Sequence, residues 1–228
     1  MIRIAIADDR LHTLKDFILF IEQYPETELV FHAQNGHDLI LQITKQKKTP
    51  DIIFVDINMP YIDGIAATYF LKINYPSIKV IGLSVYDDAE TICYMMNSGA
   101  YGYVLKADPQ SVFPKAMHEI LSGNKYIDER LAFSSLSLGQ ILMSNEDKIS
   151  DNYGFTPRER TFIILNCTTL SYEQIAEIMF VETKTVQTYF DRVSKKLNIS
   201  SRQALTLFSI QNGLAKVARL SKTPVSFQ

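Results

Sequence analysis

Acidic residues stand directly after two apolar runs near the start of the chain. Asp8 and Asp9 follow the run "IRIAIA", and Asp56 follows "IIFV". A hydroxyl, that of Ser84, and an ammonium, that of Lys106, follow two later apolar runs. Clustered carboxylates repel one another unless a hard cation such as Mg²⁺ neutralises them, and a lysine beside that cation suits a phosphoryl group. These residue types point to a site in which Asp56 is the nucleophile and forms an aspartyl phosphate.

These side chains can meet only if the apolar runs before them are strands of one sheet. Strands that alternate with helices predict a parallel sheet covered on both faces, and five such units predict a flavodoxin-like doubly wound (βα)5 domain. The carboxyl ends of the strands then form one edge, where functional groups gather. We expect strands at 2–7, 29–33, 51–55, 79–84 and 101–105, and helices near 12–23, 37–47, 65–74, 88–98 and 110–122.

Each of these residues also has a plainer interpretation. An acid at a strand end is usually a helix cap or a turn residue, so Asp8 and Asp9 could cap the helix that begins near Leu11. A lysine after a strand is usually solvated, and Asp63-Gly64 is typical of a turn. The occurrence of all these groups in one order and spacing favours the phosphoryl site.

That order and spacing resemble a bacterial response-regulator receiver domain over residues 1–122, with Asp56 in "DINMPYIDG" and Lys106 ending "SGAYGYVLK". The resemblance implies that a sensor histidine kinase phosphorylates Asp56 in the presence of Mg²⁺. It also implies a switch, in which a hydroxyl moves towards the phosphoryl group and an aromatic ring turns inward. The roles that it implies are metal binding for Asp8, Asp9, Asp56 and the backbone carbonyl of Asn58, and phosphoryl binding and switching for Ser84, Tyr103 and Lys106.

The chain departs from the receiver pattern beside the site. Many receivers have proline after the conserved lysine, where this chain has Ala107. Related proteins often have His-Pro after the two acids, where this chain has Arg10 and Leu11. Neither change removes a group that carries phosphorylation, but both could alter its kinetics.

The charge pattern divides the chain. Residues 1–124 carry ten Lys or Arg against fifteen Asp or Glu, whereas residues 154–228 carry ten against five. A basic region is a candidate for contact with nucleic acid. We expect four segments: a receiver domain at 1–123, a partly helical linker at 124–153, a small all-α domain at 154–216 and a C-terminal tail at 217–228.

The basic region contains the pattern of a helix-turn-helix. In "LSYEQIAEIMFVETKTVQTYFDRVSKKLNI" (170–199), apolar residues recur at helical spacing on both sides of a short turn around "FVET". Thr183 is a candidate N-cap for the second helix. Two short helices joined by a tight turn, the second with a polar exposed face, are typical of DNA-binding proteins. The buried face of the second helix is expected to hold Val186, Phe190, Val193 and Leu197.

With "FTPRER" at 155–160 and "SSRQAL" at 200–205, this region resembles the four-helix NarL/LuxR-type DNA-binding domain. It departs from that pattern at Tyr189, where the family usually has His, and at Asn198, where it usually has Gly. An acid facing DNA, Asp191, lowers electrostatic affinity unless it accepts from a cytosine amino group. The resemblance implies base contacts by Gln187, Thr188 and Asp191 and phosphate contacts by Lys184, Arg192, Lys195 and Lys196.

The combined pattern predicts a two-component transcriptional regulator, not an enzyme, that binds paired half-sites in promoter DNA as a homodimer when phosphorylated. An alternative is an orphan or phosphorylation-independent regulator that acts through protein partners and binds DNA weakly. A phosphatase with an Asp nucleophile is a third, but no general acid stands beside Asp56 in the sequence. The opening "MIRIAIADDR" lacks the signal-peptide pattern, no apolar run is long enough to cross a membrane, and the two cysteines form no CxxC motif. We therefore expect a cytoplasmic protein.

Overall fold

The computed structural model describes residues 1–85, 87–107, 109–131 and 153–215. Its first part is a parallel sheet with the strand order β2-β1-β3-β4-β5-β6. All residues of β3 are buried, as expected of a central strand covered by helices on both faces. The strands are β1 (Ile2–Ala7), β2 (Thr27–Ala33), β3 (Ile52–Asp56), β4 (Lys79–Ser84), β5 (Gly102–Leu105) and β6 (Tyr126–Ile127).

Helices cover both faces of this sheet, and each face has its own apolar core. On one face, Phe17 packs its ring 4.8 Å from that of Phe54 and 5.4 Å from that of Phe113. The opposite face is filled mainly by aliphatic side chains such as Leu39 and Ile65. This is the flavodoxin-like doubly wound architecture that the alternating pattern predicts. The helices are α1 (Leu11–Glu22), α2 (Gly36–Lys45), α3 (Gly64–Asn74), α4 (Ala89–Asn97) and α5 (Pro109–Leu121).

The sixth strand is the main difference from the sequence-based prediction. Tyr126–Ile127 falls at the start of the segment predicted as a linker, but it pairs in parallel with β5, Tyr126 opposite Gly102. Two residues are too few to show a period-two pattern, which explains why the sequence does not reveal this strand. The rest of the predicted linker, at 132–152, and the predicted tail, at 217–228, lie outside the described residues.

The second part of the chain is helical, as predicted. Two of its helices begin with capping boxes, one joining Thr156 to Glu159 and one joining Ser171 to Gln174. The prediction that Thr183 caps the recognition helix is wrong, because Glu182 is the extended N-cap residue and Thr183 already lies inside the helix. The helices are α6 (Pro157–Asn166), α7 (Tyr172–Met179), α8 (Thr183–Leu197) and α9 (Arg202–Gln211).

The helix-turn-helix consists of α7 and α8. Between them, Phe180 takes the left-handed conformation, with φ of 52°. Val186 and Val193 are fully buried beneath α8, as predicted, while Phe190 and Leu197 are half-buried. Packing by this apolar stripe determines which side of α8 is left to the solvent.

The helical part packs against α3 of the receiver through α6. Thr161 Oγ1 lies 3.1 Å from Asn74 Oδ1, and Thr169 Oγ1 lies 3.4 Å from the backbone oxygen of Tyr61. The polar face of α8 takes no part in this packing and remains exposed. Within the described ranges, no helix is both long and apolar enough to span a membrane.

Candidate functional site

The two acidic motifs meet at the carboxyl edge of the sheet. β1 and β3 are adjacent, and Ala7 is paired with Val55, so the residues that follow each of them come together. One carboxylate oxygen from each of Asp8, Asp9 and Asp56 lies within 4.8 Å of the others. Asp8 and Asp56 are buried and Asp9 is exposed. The topology therefore joins the adjacent acids Asp8 and Asp9 with Asp56, which lies 47 residues later in the sequence.

Lys106 enters this cluster from β5. Its Nζ atom lies 2.6 Å from Asp8 Oδ2 and 2.9 Å from Asp56 Oδ2. The backbone N–H of Lys106 donates to the carbonyl of Ser84, which carries the β4–β5 pairing one residue beyond the strand. The Lys106 side chain is only 10% exposed, so little water screens the attraction of its ammonium to the two carboxylates. Lys106 is therefore an ion-pair partner of the acidic cluster rather than a solvated lysine.

The carboxyl group of Asp56 is difficult to ionise in this environment. Burial raises its pKa to about 6, the nearby ammonium of Lys106 acts in the opposite direction, and the charges of Asp8 and Asp9 add to the rise. At neutral pH the group is ionised, but its charge is held in a buried and acidic setting. Any further cation at the cluster would stabilise the charged form.

The loop after Asp56 is held close to the site by its backbone. A Cβ atom on Gly64 would lie 2.1 Å from the carbonyl oxygen of Asp56, so only glycine allows α3 to start there. Asp63 accepts from the backbone N–H of Ala66 and caps α3. The pair Asp63-Gly64 is therefore the start of a helix pressed against the nucleophile.

Ser84 and Tyr103, the predicted switch pair, lie on the neighbouring strands β4 and β5, Ser84 as the last residue of β4 and Tyr103 as the second residue of β5. Both are buried, with exposed fractions of 1% and 0%. Burial raises the pKa of the Tyr103 phenol, while its hydrogen bond with Ser84 acts in the opposite direction. The tyrosine ring already points inward. Whether it moves on phosphorylation stays a prediction.

The residues at the cluster suit Mg²⁺. Three carboxylates converge there, and Asn58 is half-buried in the loop two residues beyond Asp56, where its carbonyl is a candidate ligand. Carboxylate and carbonyl oxygens are the hard ligands that Mg²⁺ prefers. Of the predicted metal ligands, the fold brings the carboxylates of Asp8, Asp9 and Asp56 together, while metal binding by these groups and by the Asn58 carbonyl stays a prediction.

The polar face of α8 is the candidate nucleic-acid interface. All seven residues predicted to contact DNA are exposed on this helix. Gln187 Nε2 donates to Asp191 Oδ1 at 3.0 Å, so these two side chains, one helical turn apart, pair with each other. Their contacts with DNA stay predictions. The seven are Lys184, Gln187, Thr188, Asp191, Arg192, Lys195 and Lys196.

Lys196 on α8 forms hydrogen bonds and an ion pair inside the helical domain. Its Nζ atom lies 2.7 Å from Glu159 Oε2 and 2.8 Å from the carbonyl oxygen of Gly154. Burial of Glu159 opposes ionisation, but hydrogen bonds from Lys196 and Thr156 lower its pKa below the usual range. The capping-box spacing of Thr156 and Glu159 is visible in the sequence, whereas the pairing with Lys196 is not.

A second contact without a sequence signal lies beside the acidic cluster. Asp128 and Arg130, both in the segment predicted as a linker, bind the backbone on either side of Lys106. An Asp and an Arg two residues apart in a polar stretch are ordinary, so nothing in the sequence distinguishes them.

Two family models match the chain. Residues 4–117 match the response regulator receiver domain, and residues 154–209 match the luxR family of bacterial regulatory proteins. The receiver match agrees with the sheet that carries the acidic cluster, and the second match agrees with α6 to α9. The combination of a receiver domain with a domain of the luxR family of bacterial regulatory proteins is that of a transcription regulator, not an enzyme.

Similar proteins align with this chain along almost their whole length. Transcriptional regulatory protein DegU of Brevibacillus brevis is 28% identical over 228 residues, covering 95% of this chain and 96% of its own. Oxygen regulatory protein NreC of Staphylococcus carnosus is 28% identical over 216 residues, covering 93% and 98%.

Solved structures of the regulator RcsB have a similar fold. The non-phosphorylated receiver domain from Escherichia coli is 25% identical with a TM-score of 0.52, covering 56% of this chain and 98% of its own. A structure of two RcsB dimers bound to two parallel DNAs is 22% identical with a TM-score of 0.53, covering 92% and 98%. This chain belongs to the response-regulator family: it is a two-component response regulator with a receiver domain followed by a LuxR-type DNA-binding domain.

Proposed function

We propose that this regulator is switched by Mg²⁺-dependent phosphorylation of Asp56, and that the phosphorylated protein binds paired half-sites in promoter DNA as a dimer. The phosphoryl donor is a sensor histidine kinase. The observation that carries the proposal is the convergence of Asp56 with Asp8, Asp9 and Lys106 at one edge of the sheet, with Lys106 Nζ 2.9 Å from the proposed nucleophile.

The chemistry follows from the charges at this edge. A carboxylate oxygen of Asp56 attacks the phosphorus, the bond from phosphorus to the histidine nitrogen of the kinase breaks, and the imidazole leaves with the electron pair. Lys106 donates to the phosphoryl oxygens, which replace part of its present contact with Asp8 and Asp56. Bound Mg²⁺ at the carboxylates neutralises the remaining charge.

Phosphorylation changes the charge beside a buried pair. A phosphoryl group adds a charge of about −1.5 to −2 and new hydrogen-bond acceptors. Ser84 supplies a hydroxyl at the end of the neighbouring strand β4, and it already forms a hydrogen bond with Tyr103. A shift of Ser84 towards the phosphoryl group therefore changes the packing of Tyr103 and of the surface above it.

The exposed face of α8 supports the DNA-binding part of the proposal. It presents cations and amides to the solvent, which suits phosphate contacts and base contacts in a major groove. The solved RcsB dimers on DNA share this fold, and we extend their mode of binding to this chain. Leu207 and Ile210, one turn apart on α9 and 58% and 40% exposed, offer an apolar surface for a dimer.

Intact-mass measurement after incubation with Mg²⁺ and acetyl phosphate tests the phosphorylation. The wild-type chain is expected to gain one phosphoryl group, and Asp56→Asn to gain none. Glu22→Gln, which removes an exposed carboxylate at the end of α1, is the matched control and should behave as the wild type. A wild-type chain that is folded, has Mg²⁺ and gains no mass would contradict the proposal.

One observation favours a second function. Asp191 places a negative charge on the exposed face of α8, which weakens attraction to DNA phosphates. The alternative is a phosphorylation-independent regulator that acts through protein partners. Its DNA affinity would be low and nearly independent of salt, whereas the main proposal requires an affinity that falls steeply with salt and rises on phosphorylation.

A further inference from the structure

The backbone on both sides of Lys106 is held by two side chains from outside both matched domains. Asp128 and Arg130 follow β6, beyond the receiver match at residues 4–117 and before the luxR match at 154–209. The family matches assign these two residues no role. Their position nevertheless brings them to the loop that carries the lysine of the acidic cluster.

Asp128 is a buried acceptor at the end of β6. It is 2% exposed, and its Oδ2 atom accepts from the backbone N–H of Leu105 at 3.0 Å. Its Oδ1 atom accepts from the backbone N–H of Arg130 at 3.1 Å and from Arg130 Nε at 2.9 Å. Because β6 pairs only with the first two residues of β5, Asp128 supplies by its side chain the hydrogen bond that a longer strand would have made.

Arg130 completes the contact from the other side. Its Nη1 atom donates to the carbonyl of Ala107 at 2.6 Å, and its Nη2 atom donates to the carbonyl of Leu105 at 3.3 Å. The residues before and after Lys106 are thus bound by the Asp128–Arg130 pair, while Lys106 itself is bound through its N–H to Ser84. The planar guanidinium suits such a contact, because it directs several donors in fixed directions.

We propose that Asp128 and Arg130 are positioning residues for phosphoryl transfer to Asp56. They fix the backbone around Lys106 so that its ammonium stays on the acidic cluster, where it must meet the phosphoryl oxygens. The proposal rests on the proposed function of the Asp56 site. It does not place either residue in contact with the reacting atoms.

A purely structural role would give a different result from a positioning role. The chain offers a matched control in Arg3, which binds Asp51 through Nη2 and Oδ1 at 2.6 Å in the same domain. Arg3 lies in β1 near its start, and Asp51 precedes β3, so this pair stands at the edge opposite the acidic cluster. Loss of either arginine removes an Arg–Asp pair, but only Arg130 holds the Lys106 loop.

The first measurement is the initial rate of phosphorylation by acetyl phosphate, followed by intact mass over a range of donor and Mg²⁺ concentrations. Arg130→Ala is expected to lower the maximal rate about tenfold, with little change in the half-saturating Mg²⁺ concentration, because a small displacement of a charge-neutralising group is costly. Arg3→Ala is expected to keep the wild-type rate. Arg130→Lys, which can reach one of the carbonyls, is expected to recover part of it.

The second measurement is the rate of reductive methylation of Lys106, read by peptide mass. The Lys106 side chain is 10% exposed in the folded chain, so its amine should react slowly. Arg130→Ala is expected to raise this rate severalfold, and Arg3→Ala to leave it unchanged. If Arg130→Ala does not fold, Arg130→Gln, which keeps a hydrogen-bond donor for Asp128, takes its place.

The two measurements separate the two proposals. A wild-type chain that gains no phosphoryl group but shows the labelling difference would overturn the phosphorylation of Asp56 and keep the positioning of Lys106. A phosphorylated wild type with an equally fast Arg130→Ala variant, or equal labelling of Lys106 in both, would overturn the positioning role.

Discussion

The Nζ atom of Lys106 lies 2.9 Å from Oδ2 of Asp56, so a cation of the protein itself already sits against the proposed nucleophile. The same atom lies 2.6 Å from Asp8. Lys106 and a bound divalent metal would therefore compete for the same carboxylates. The proposed phosphorylation would require both, because the lysine would meet the phosphoryl oxygens while the metal would neutralise the acids.

Replacement of this lysine should separate metal binding from phosphorylation. Lys106→Met removes the competing cation, so the affinity for Mg²⁺ is expected to rise about tenfold, while the rate of phosphorylation by acetyl phosphate falls. Calorimetric titration with Mg²⁺ and intact mass measure the two effects. Lys79→Met, whose ammonium lies 3.6 Å from the ring centroid of Tyr101 at the other end of β4, is the control and should change neither. Weaker Mg²⁺ binding by Lys106→Met would contradict the competition.

The raised pKa of Asp56 predicts a pH-dependent gain in stability on its removal. The folded pKa is about 6 and the unfolded value is 3.8, so folding favours the protonated form and the ionised group destabilises the fold at higher pH. In metal-free buffer, Asp56→Asn should raise the free energy of unfolding above pH 6, by at most about 3 kcal/mol. The gain should shrink between pH 6 and pH 4 and vanish below it.

Urea denaturation at pH 4 and pH 8 in the presence of EDTA measures this difference. Glu22→Gln is the control, because its carboxylate is exposed at the end of α1. Two outcomes would contradict the conclusion that the ionised Asp56 carboxylate destabilises the fold. One is equal stability of Asp56→Asn and the wild type at pH 8, and the other is a gain in stability that grows at acidic pH.

Lys195 is expected to act on DNA through charge alone. It is exposed on α8, so Lys195→Ala should weaken binding to all DNA sequences about equally and reduce the slope of log affinity against log salt by about 1. Its free energy of unfolding should be unchanged. Fluorescence anisotropy of a labelled duplex at several salt concentrations measures the slope, and an unchanged slope would remove Lys195 from the interface.

Lys196, the next residue along α8, is expected to act mainly on stability. Its ammonium binds Glu159, whose side chain is 4% exposed, so Lys196→Ala leaves a buried carboxylate without its cation. The loss should be about 1–3 kcal/mol. Denaturation of Lys196→Ala beside Lys195→Ala measures it, and restoration by the double variant Lys196→Ala with Glu159→Gln would show that the unpaired charge is the cause. Two variants of equal stability would contradict the structural role of Lys196.

The strands, the helices and the general position of the site were predictable from the sequence. Strand and helix segments follow local periodicity, and the predicted strands 2–7 and 79–84 coincide with β1 and β4. The convergence of Asp8, Asp9 and Asp56 was predictable because parallel strands end at one edge of a sheet. The helix-turn-helix was predictable for a different reason: its apolar stripe and its turn are local features of the sequence.

The side-chain contacts that hold these strands and helices in place become visible in the tertiary structure. The Asp128–Arg130 contact with the backbone around Lys106, and the ion pair between Glu159 and Lys196, join residues at long separations through side-chain geometry. Thr183 looks like a helix cap in the sequence, but in the structure Glu182 is the N-cap residue and Thr183 is already the first residue of the helix. Local pattern reports how a segment folds, whereas these contacts depend on where distant segments meet once the core has formed.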